Sequence, residues 1–267
     1  MPDLTGRSLL AVFAHPDDES LACGGLLAWC ADRGARVSIL CVTRGERGEQ
    51  RSKAKGQRSK ADLGDMRARE LQAAARVLGV AEVAMLSYED GMLPWVDAAT
   101  LEADIHEAIR RRRPDVVITF GEDGLYWHPD HIAVHERTTA VVAALGQEAP
   151  ALYYVTMPPG RMRAVVDAVA AQRPDPTSPL FILGISDADA FGTLASDPTL
   201  VVEAGPFAVR KLAAIRCHRS QLADDALEIL SEEDAVRFLG TEHFRRASIG
   251  SSCDAFIECL GHARSPA

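Results

Sequence analysis

A histidine and two aspartates interrupt an apolar run in Ala11-Val12-Phe13-Ala14-His15-Pro16-Asp17-Asp18-Glu19-Ser20. Ser8–Ala14 reads as a buried strand, ended by Pro16, which cannot extend a hydrogen-bonded ladder. Whatever follows a buried strand in an α/β chain lies at its carboxyl edge, where open sheets bind ligands. An imidazole beside carboxylates there suits a divalent metal with a spare base next to it. A second cluster, His128-Pro129-Asp130-His131, follows another apolar strand and can supply a further ligand. Each group also has a plainer reading. A lone histidine often hydrogen-bonds a loop, and aspartates at a helix start cap it and meet its dipole. Glu19 and Ser20 are the more natural caps, which leaves Asp17 and Asp18 for chemistry. Adjacent aspartates on a turn point in different directions, so one can bind a metal while the other takes a proton from water. His131 and His135 share a helical face, and His135 reads as a solvent-exposed residue there. The two clusters together point to metal-assisted hydrolysis.

These clusters need a scaffold of strand ends, and the chain's pattern provides one. The first 145 residues alternate strands and helices: Leu21–Arg33 helical, Val37–Val42 a buried strand, Thr43–Gly64 a polar connector, Met66–Leu78 a helix stopped at Gly79. Val83–Leu86 is a short strand leading to the turn Tyr88-Glu89-Asp90-Gly91. Ala98–Arg112 is an amphipathic helix, Asp115–Phe120 a strand and His131–Leu145 a helix. Repeated β-α units with apolar strands predict an α/β fold, a Rossmann-like, mostly parallel sheet flanked by helices. Beyond residue 150 the pattern loosens into a less regular C-terminal α/β lobe. Ala151–Met157 and Thr199–Glu203 read as strands, Phe207–Leu222 and Glu232–Leu239 as helices, and Pro158–Pro179 is rich in proline, arginine and alanine. The expected organisation is a single domain over 1–267, with a metal-site core at 1–150 and a substrate-shaping part at 151–262.

Composition narrows the function classes. The chain has 267 residues and a net charge of −9, which gives nucleic acid no electrostatic footprint. The phosphate-binding G-x-G-x-x-G turn is absent after the first strand, which disfavours a dinucleotide. Six cysteines without CxxC spacing read as reduced, buried thiols. No apolar run reaches a membrane span, so a cytoplasmic protein is expected. Helical periodicity leaves monomer and homo-oligomer equally open.

Ala14-His15-Pro16-Asp17-Asp18-Glu19 with the downstream His128-Pro129-Asp130-His131 resembles the PIG-L/LmbE de-N-acetylases, zinc-dependent hydrolases of N-acetylglucosaminyl conjugates. Thr43–Glu49, Arg67 before Glu70-Leu71, and Asp90-Gly91 recur in the same order, and His218-Arg219-Ser220-Gln221 extends the likeness loosely. The resemblance implies that His15, Asp18 and His131 bind zinc, with solvent completing the shell, and that Asp17 is the general base. His128, oriented and kept cationic by Asp130, would stabilise the oxyanion with help from Tyr126. Arg67, Asp90 and Glu49 would hold the sugar or its attached group. The implied substrate is a small N-acetylated amino-sugar conjugate. Imidazole and carboxylate ligands suit iron(II) or manganese as well as zinc. Taken alone, Arg67 is an unfavourable charge at a helix head, Asp90 a turn residue and Glu49 a solvated side chain. Trp95 and Trp127 read either as cleft aromatics or as core, and His218 as structural. Two further readings stand beside removal of acetyl: an amidase releasing a larger acyl group, and a non-catalytic metal-containing sugar-binding module.

Overall fold

Leu9 to Phe13, the body of strand β1 (Ser8–Phe13), are fully buried, as a strand covered on both faces must be. The computed structural model describes residues 2–48, 59–175, 178–253 and 255–263. β1 is followed by α1 (Asp18–Asp32), β2 (Arg36–Thr43), α2 (Lys60–Leu78), β3 (Glu82–Tyr88), α3 (Ala98–Arg112) and β4 (Val116–Phe120). Then come the short turn α4 (Gly124–Trp127), α5 (Pro129–Ala144), β5 (Ala151–Thr156), α6 (Arg161–Ala170), β6 (Leu200–Glu203) and α7 (Ala208–Ile215). The chain closes with α8 (Ala226–Ile229), α9 (Glu232–Leu239), β7 (Thr241–Gly250) and β8 (Gly261–Ala263).

One sheet runs through both halves in the order β3-β2-β1-β4-β5-β7-β6-β8. The five strands from β3 to β5 are parallel, and β7, β6 and β8 continue the sheet antiparallel. The fold is therefore the mostly parallel α/β sheet that the strand–helix alternation predicts. From β1 the chain builds outward through β2 and β3, then returns to β1's other side with β4. This reversal makes the carboxyl ends of β1 and β4 a topological switch point, where the two connections part and leave a crevice. Both predicted metal clusters lie there.

Local signals account for several boundaries. α2 begins at Lys60, inside the stretch expected to be a connector. Ser59 and Asp62 form a reciprocal capping box that satisfies the first amides. Pro129 occupies the first turn of α5, where its missing N–H is harmless. Phe207–Leu222 is not one helix: α7 stops at Ile215, and a single 3₁₀ turn covers Arg219–Gln221. α6 lies within the proline-, arginine- and alanine-rich stretch to which no element was assigned, and the ten-residue strand β7 was not anticipated. None of the described helices is long and apolar enough to cross a membrane. The six cysteines are free, but only Cys23, Cys30 and Cys41 are buried, while Cys253 and Cys259 are exposed.

A fully buried ion pair ties the C-terminal half to the first helix. α1 breaks at Cys23 (φ −147°), and just past the break the amides of Gly25 and Leu26 each donate to Glu242 of β7 at 2.8 Å. Lys211 Nζ of α7 completes the cluster, 2.6 Å from Glu242 Oε1. Glu242→Ala strands the Lys211 charge and two amides, so unfolding stability should fall by about 3–5 kcal/mol. Urea titration followed by circular dichroism reads this directly; a loss below about 1 kcal/mol would mean the cluster contributes no more than an exposed pair.

Candidate metal centre and cavity

His15 and Asp18 enter the crevice from the turn between β1 and α1, and His131 from the first turn of α5. His15 Nδ1 and His131 Nε2 are 3.0 Å apart. Asp18 closes the triangle, with Oδ1 3.2 Å from His131 Nε2 and Oδ2 3.6 Å from His15 Nδ1. Beneath them His131 stacks on Phe120 with ring centroids 4.0 Å apart, and Phe120 meets Phe13 edge-on at 4.9 Å. The last residues of β1 and β4 thus form an aromatic floor that fixes the height of the His131 ring.

Hydrogen-bond partners set the tautomers. His131 Nδ1 lies 3.0 Å from the Gly124 carbonyl, which can only accept, so Nδ1 carries the proton and Nε2 presents a lone pair. His15 Nε2 lies 3.0 Å from Asp90 Oδ1 and 3.1 Å from Asp130 Oδ2, so it too is the protonated nitrogen. Two imidazole nitrogens and a carboxylate therefore face one point; against burial, the Asp130, Asp18 and Asp90 carboxylates raise His15 well above an ordinary imidazole, so a proton or a metal cation is favoured between them. The donor set of two neutral imidazoles and one carboxylate fits a divalent transition metal with room for solvent. His15, His128 and His131 also lie within 4.8 Å of one another by their ring nitrogens. Asp18 is the candidate third ligand, with oxygens 3.2 and 3.6 Å from His131 Nε2 and His15 Nδ1, whereas His128 Nδ1 already accepts the Asp130 amide N–H at 3.2 Å.

Asp130 corrects an expectation. Its carboxylate does not orient His128; fully buried, it takes His15 Nε2 and the amides of Gly91 at 2.7 Å and Leu93 at 3.0 Å. Only its backbone N–H reaches His128, which caps α5. Nor is His128 held cationic, because burial pushes it down to about 3. A neutral His128 with Nδ1 occupied as acceptor carries its proton on Nε2, so it is a donor. Carboxylates behind a metal-binding imidazole raise its basicity and fix its orientation. Asp130→Asn should therefore weaken metal binding by roughly 10–100-fold with the fold retained. Competition with a chromogenic chelator measures this, and wild-type affinity in the variant would show that His15 needs no carboxylate behind it.

Asp17 is held apart from the triangle. Its backbone sits at φ 122°, a region side-chain-bearing residues rarely occupy. Arg67 Nη2 donates to its Oδ2 at 2.9 Å and to the Pro16 carbonyl at 2.7 Å, and Nη1 to the Gly45 carbonyl at 2.8 Å. A Cβ on Gly45 (φ +64°) would lie 2.3 Å from Arg67 Nη1, so only glycine lets the guanidinium through. Burial lifts the Asp17 carboxyl to about 7 against the pull of Arg67, which places it among groups able to take up a proton near neutrality. Burial likewise raises Tyr126, keeping its hydroxyl a donor.

These groups open into a cavity of about 370 Å³ lined by His15, Asp17, Asp18, Arg67, Asp90, Tyr126 and His128. The C-terminal half supplies the facing wall, apolar at Ile182, Leu183, Ile185 and Phe191 and polar at Gln221, with Arg47 at the side. None of the four apolar residues was anticipated, and Gln221 and Arg47 only as members of the His218–Gln221 and Thr43–Glu49 segments. The stretch that carries the apolar wall lacks any periodicity. Glu49 lies outside the described residues. Trp95 and Trp127 are neither core nor cavity lining, being 71% and 47% exposed. His135 is buried, not solvent-exposed, with Nδ1 2.9 Å from the Phe120 carbonyl. Neither Glu19 nor Ser20 caps the first helix, whose N-cap position is Asp17 without a side-chain cap bond; Glu19 pairs with the fully buried His218.

Known proteins resemble this chain over most of its length. A deacetylase of 1D-myo-inositol 2-acetamido-2-deoxy-α-D-glucopyranoside from Acidothermus cellulolyticus is 35% identical over 262 residues, covering 89% of this chain and 88% of that one. A protein of the same name from Nakamurella multipartita is 35% identical over 265 residues, with 89% and 88% covered. Among solved structures, N,N'-diacetylchitobiose deacetylase from Pyrococcus horikoshii superposes with a TM-score of 0.64 at 22% identity, covering 90% of this chain and 84% of that one. A 4-carboxy-2-hydroxymuconate hydratase from Pseudomonas putida has the same score at 20% identity, with 93% and 99% covered. The scaffold therefore carries more than one chemistry, and activity must be argued from the site. Residues 10–143, which hold both metal clusters, match the family described as GlcNAc-PI de-N-acetylase. On that match and on the full-length relatives, the chain belongs to the PIG-L family.

Proposed function

We propose that this protein is a zinc-dependent hydrolase that removes the N-acetyl group from an N-acetylglucosamine-type conjugate. The observation that carries the reading is the Asp17 carboxylate lining the same cavity as the converging His15, His131 and Asp18 side chains. A site that only bound sugar would need no base. The names of the full-length relatives support an inositol-linked N-acetylglucosamine as the first substrate to test.

His15, Asp18 and His131 would hold the metal, which supplies Lewis acidity to the amide carbonyl and to attacking water. With Oδ2 gripped by Arg67, Asp17 offers Oδ1 to the water's proton and later returns that proton to the departing amine. The His128 Nε2–H and the Tyr126 hydroxyl are the donors for negative charge growing on the carbonyl oxygen, each worth on the order of 3 kcal/mol in the barrier. Arg67 and Asp90 face the same cavity and are the proposed contacts for sugar hydroxyls, although both also serve the site internally by holding Asp17 and His15.

The apolar wall of Ile182, Ile185 and Phe191 supports a second reading in which the leaving acyl group is longer than acetyl. One assay separates the two. Purified protein with bound zinc is offered N-acetyl, N-butanoyl and N-octanoyl forms of the same glucosamine conjugate, and free amine is measured. Fastest release from the acetyl form is expected; preference for a longer chain would favour the second reading, and no amine from any of them would end both.

A further inference from the structure

Glu19 and His218 take no part in the steps above, yet they are among the most enclosed charged groups, at 1% and 0% exposure. His218 Nε2 lies 3.0 Å from Glu19 Oε1, and the Ser20 hydroxyl donates to that same oxygen at 2.6 Å. The other oxygen, Oε2, accepts the Asp17 backbone N–H at 3.1 Å. His218 thus reaches the proposed base through one carboxylate. It does so from outside residues 10–143, in the segment that follows α7.

Asp17 needs such a hold. Its φ of 122° is a conformation that persists only where the surroundings over-determine it. Arg67 restrains the carboxylate and the preceding carbonyl, but neither contact touches the Asp17 amide. The Ser20 and Leu21 amides hold only the Asp17 carbonyl, both at 3.2 Å, so release from Glu19 lets the preceding peptide tilt and turns the carboxylate away from the proposed metal ligands. Glu19 can hold the amide only while its own rotamer is fixed, and the partners that fix it are His218 and Ser20.

We infer that Glu19 and His218 are positioning residues for Asp17, the histidine clamping the carboxylate that pins the strained backbone of the base. The inference rests on the deacetylase reading only where turnover is the readout. A merely structural ion pair would, when broken, lower stability and leave the turnover of the folded fraction unchanged. A positioning pair does something different, because a displacement of about 1 Å at a reacting group lowers rate by roughly 100-fold.

Three variants decide it, assayed as zinc-loaded full-length proteins below their melting temperatures. His218→Ala is expected to lower kcat by about 100-fold with KM and zinc content close to wild type. Amide hydrogen exchange across residues 15–20 should quicken at the same time. His218→Gln, whose side-chain N–H can still donate to Glu19, should recover at least about ten-fold of that loss. Native kcat in His218→Ala, unchanged exchange at residues 15–20, or no recovery by glutamine would each overturn the inference. Should His218→Ala fail to fold, Glu19→Gln replaces it: a selective drop in kcat supports the inference and native kcat overturns it. If the unaltered protein turns over no N-acetyl sugar, the deacetylase reading falls and the exchange result alone decides.

Discussion

Asp17→Asn should leave the protein folded and its zinc content unchanged while kcat falls by about 10³-fold. The substitution is isosteric, so the amide oxygen can still accept from Arg67 and the backbone N–H can still reach Glu19. What disappears is a group able to take a proton from water. Because the interaction is made only as the reaction proceeds, KM should barely move and kcat/KM should fall in step with kcat. Steady-state amine release with metal analysis of the same sample checks both halves. Turnover at the wild-type rate would remove Asp17 as base and favour a module that holds metal and sugar without reacting them.

Asp18→Ala is expected to act on the other side of the division of labour. Asp18 contributes oxygens toward both imidazoles, and its Oδ2 also accepts the His15 amide N–H at 2.7 Å, which locks the turn. Its removal leaves two neutral nitrogens, too few for a stable site. Metal affinity should drop by more than the roughly 10–100-fold expected from Asp130→Asn, and activity should vanish with the metal. Equal affinities for the two variants would place Asp18 behind the ligands rather than among them, and would promote His128 to the third position.

The halves of the chain were not equally legible. Through residue 145 the strands β1, β2 and β4 are near-continuous apolar runs, and buried parallel strands have that appearance because both faces are covered. The ends of β1 and β4 therefore announced themselves, and with them His15, Asp17, Asp18, His128 and His131. The partners of those residues did not. Asp130 is adjacent to His131 in sequence, which invited a role toward His128. The first turn of α5 instead sends the carboxylate beneath the site to His15 and to two amides near Gly91. Asp90 looked like a turn residue or a sugar contact, and only the three-dimensional crossing of the β3 turn with β1 shows it holding His15.

The C-terminal half hid for a different reason. β7 carries Glu242, His243, Arg245 and Arg246 among its ten residues. An antiparallel strand of this kind keeps charges wherever a partner waits, as Glu242 does for Lys211. Its alternation is broken, and polarity disguised it. The cavity wall at Ile182–Ile185 lies in loop and bridge structure, where no period exists to be read. The cavity's apolar wall is thus built from the part of the chain whose contacts depend least on local pattern.

The account stands on one cation held by His15, Asp18 and His131 and required for amide cleavage. Its most direct test is to strip the protein with a chelator, titrate zinc back by calorimetry, and assay acetate release at each point. The account predicts no release from the stripped protein, one high-affinity site per chain, and activity that rises with occupancy of that site and is lost in Asp18→Ala. Acetate release at full rate from the stripped protein, or restoration by zinc in Asp18→Ala at wild-type affinity, would contradict it.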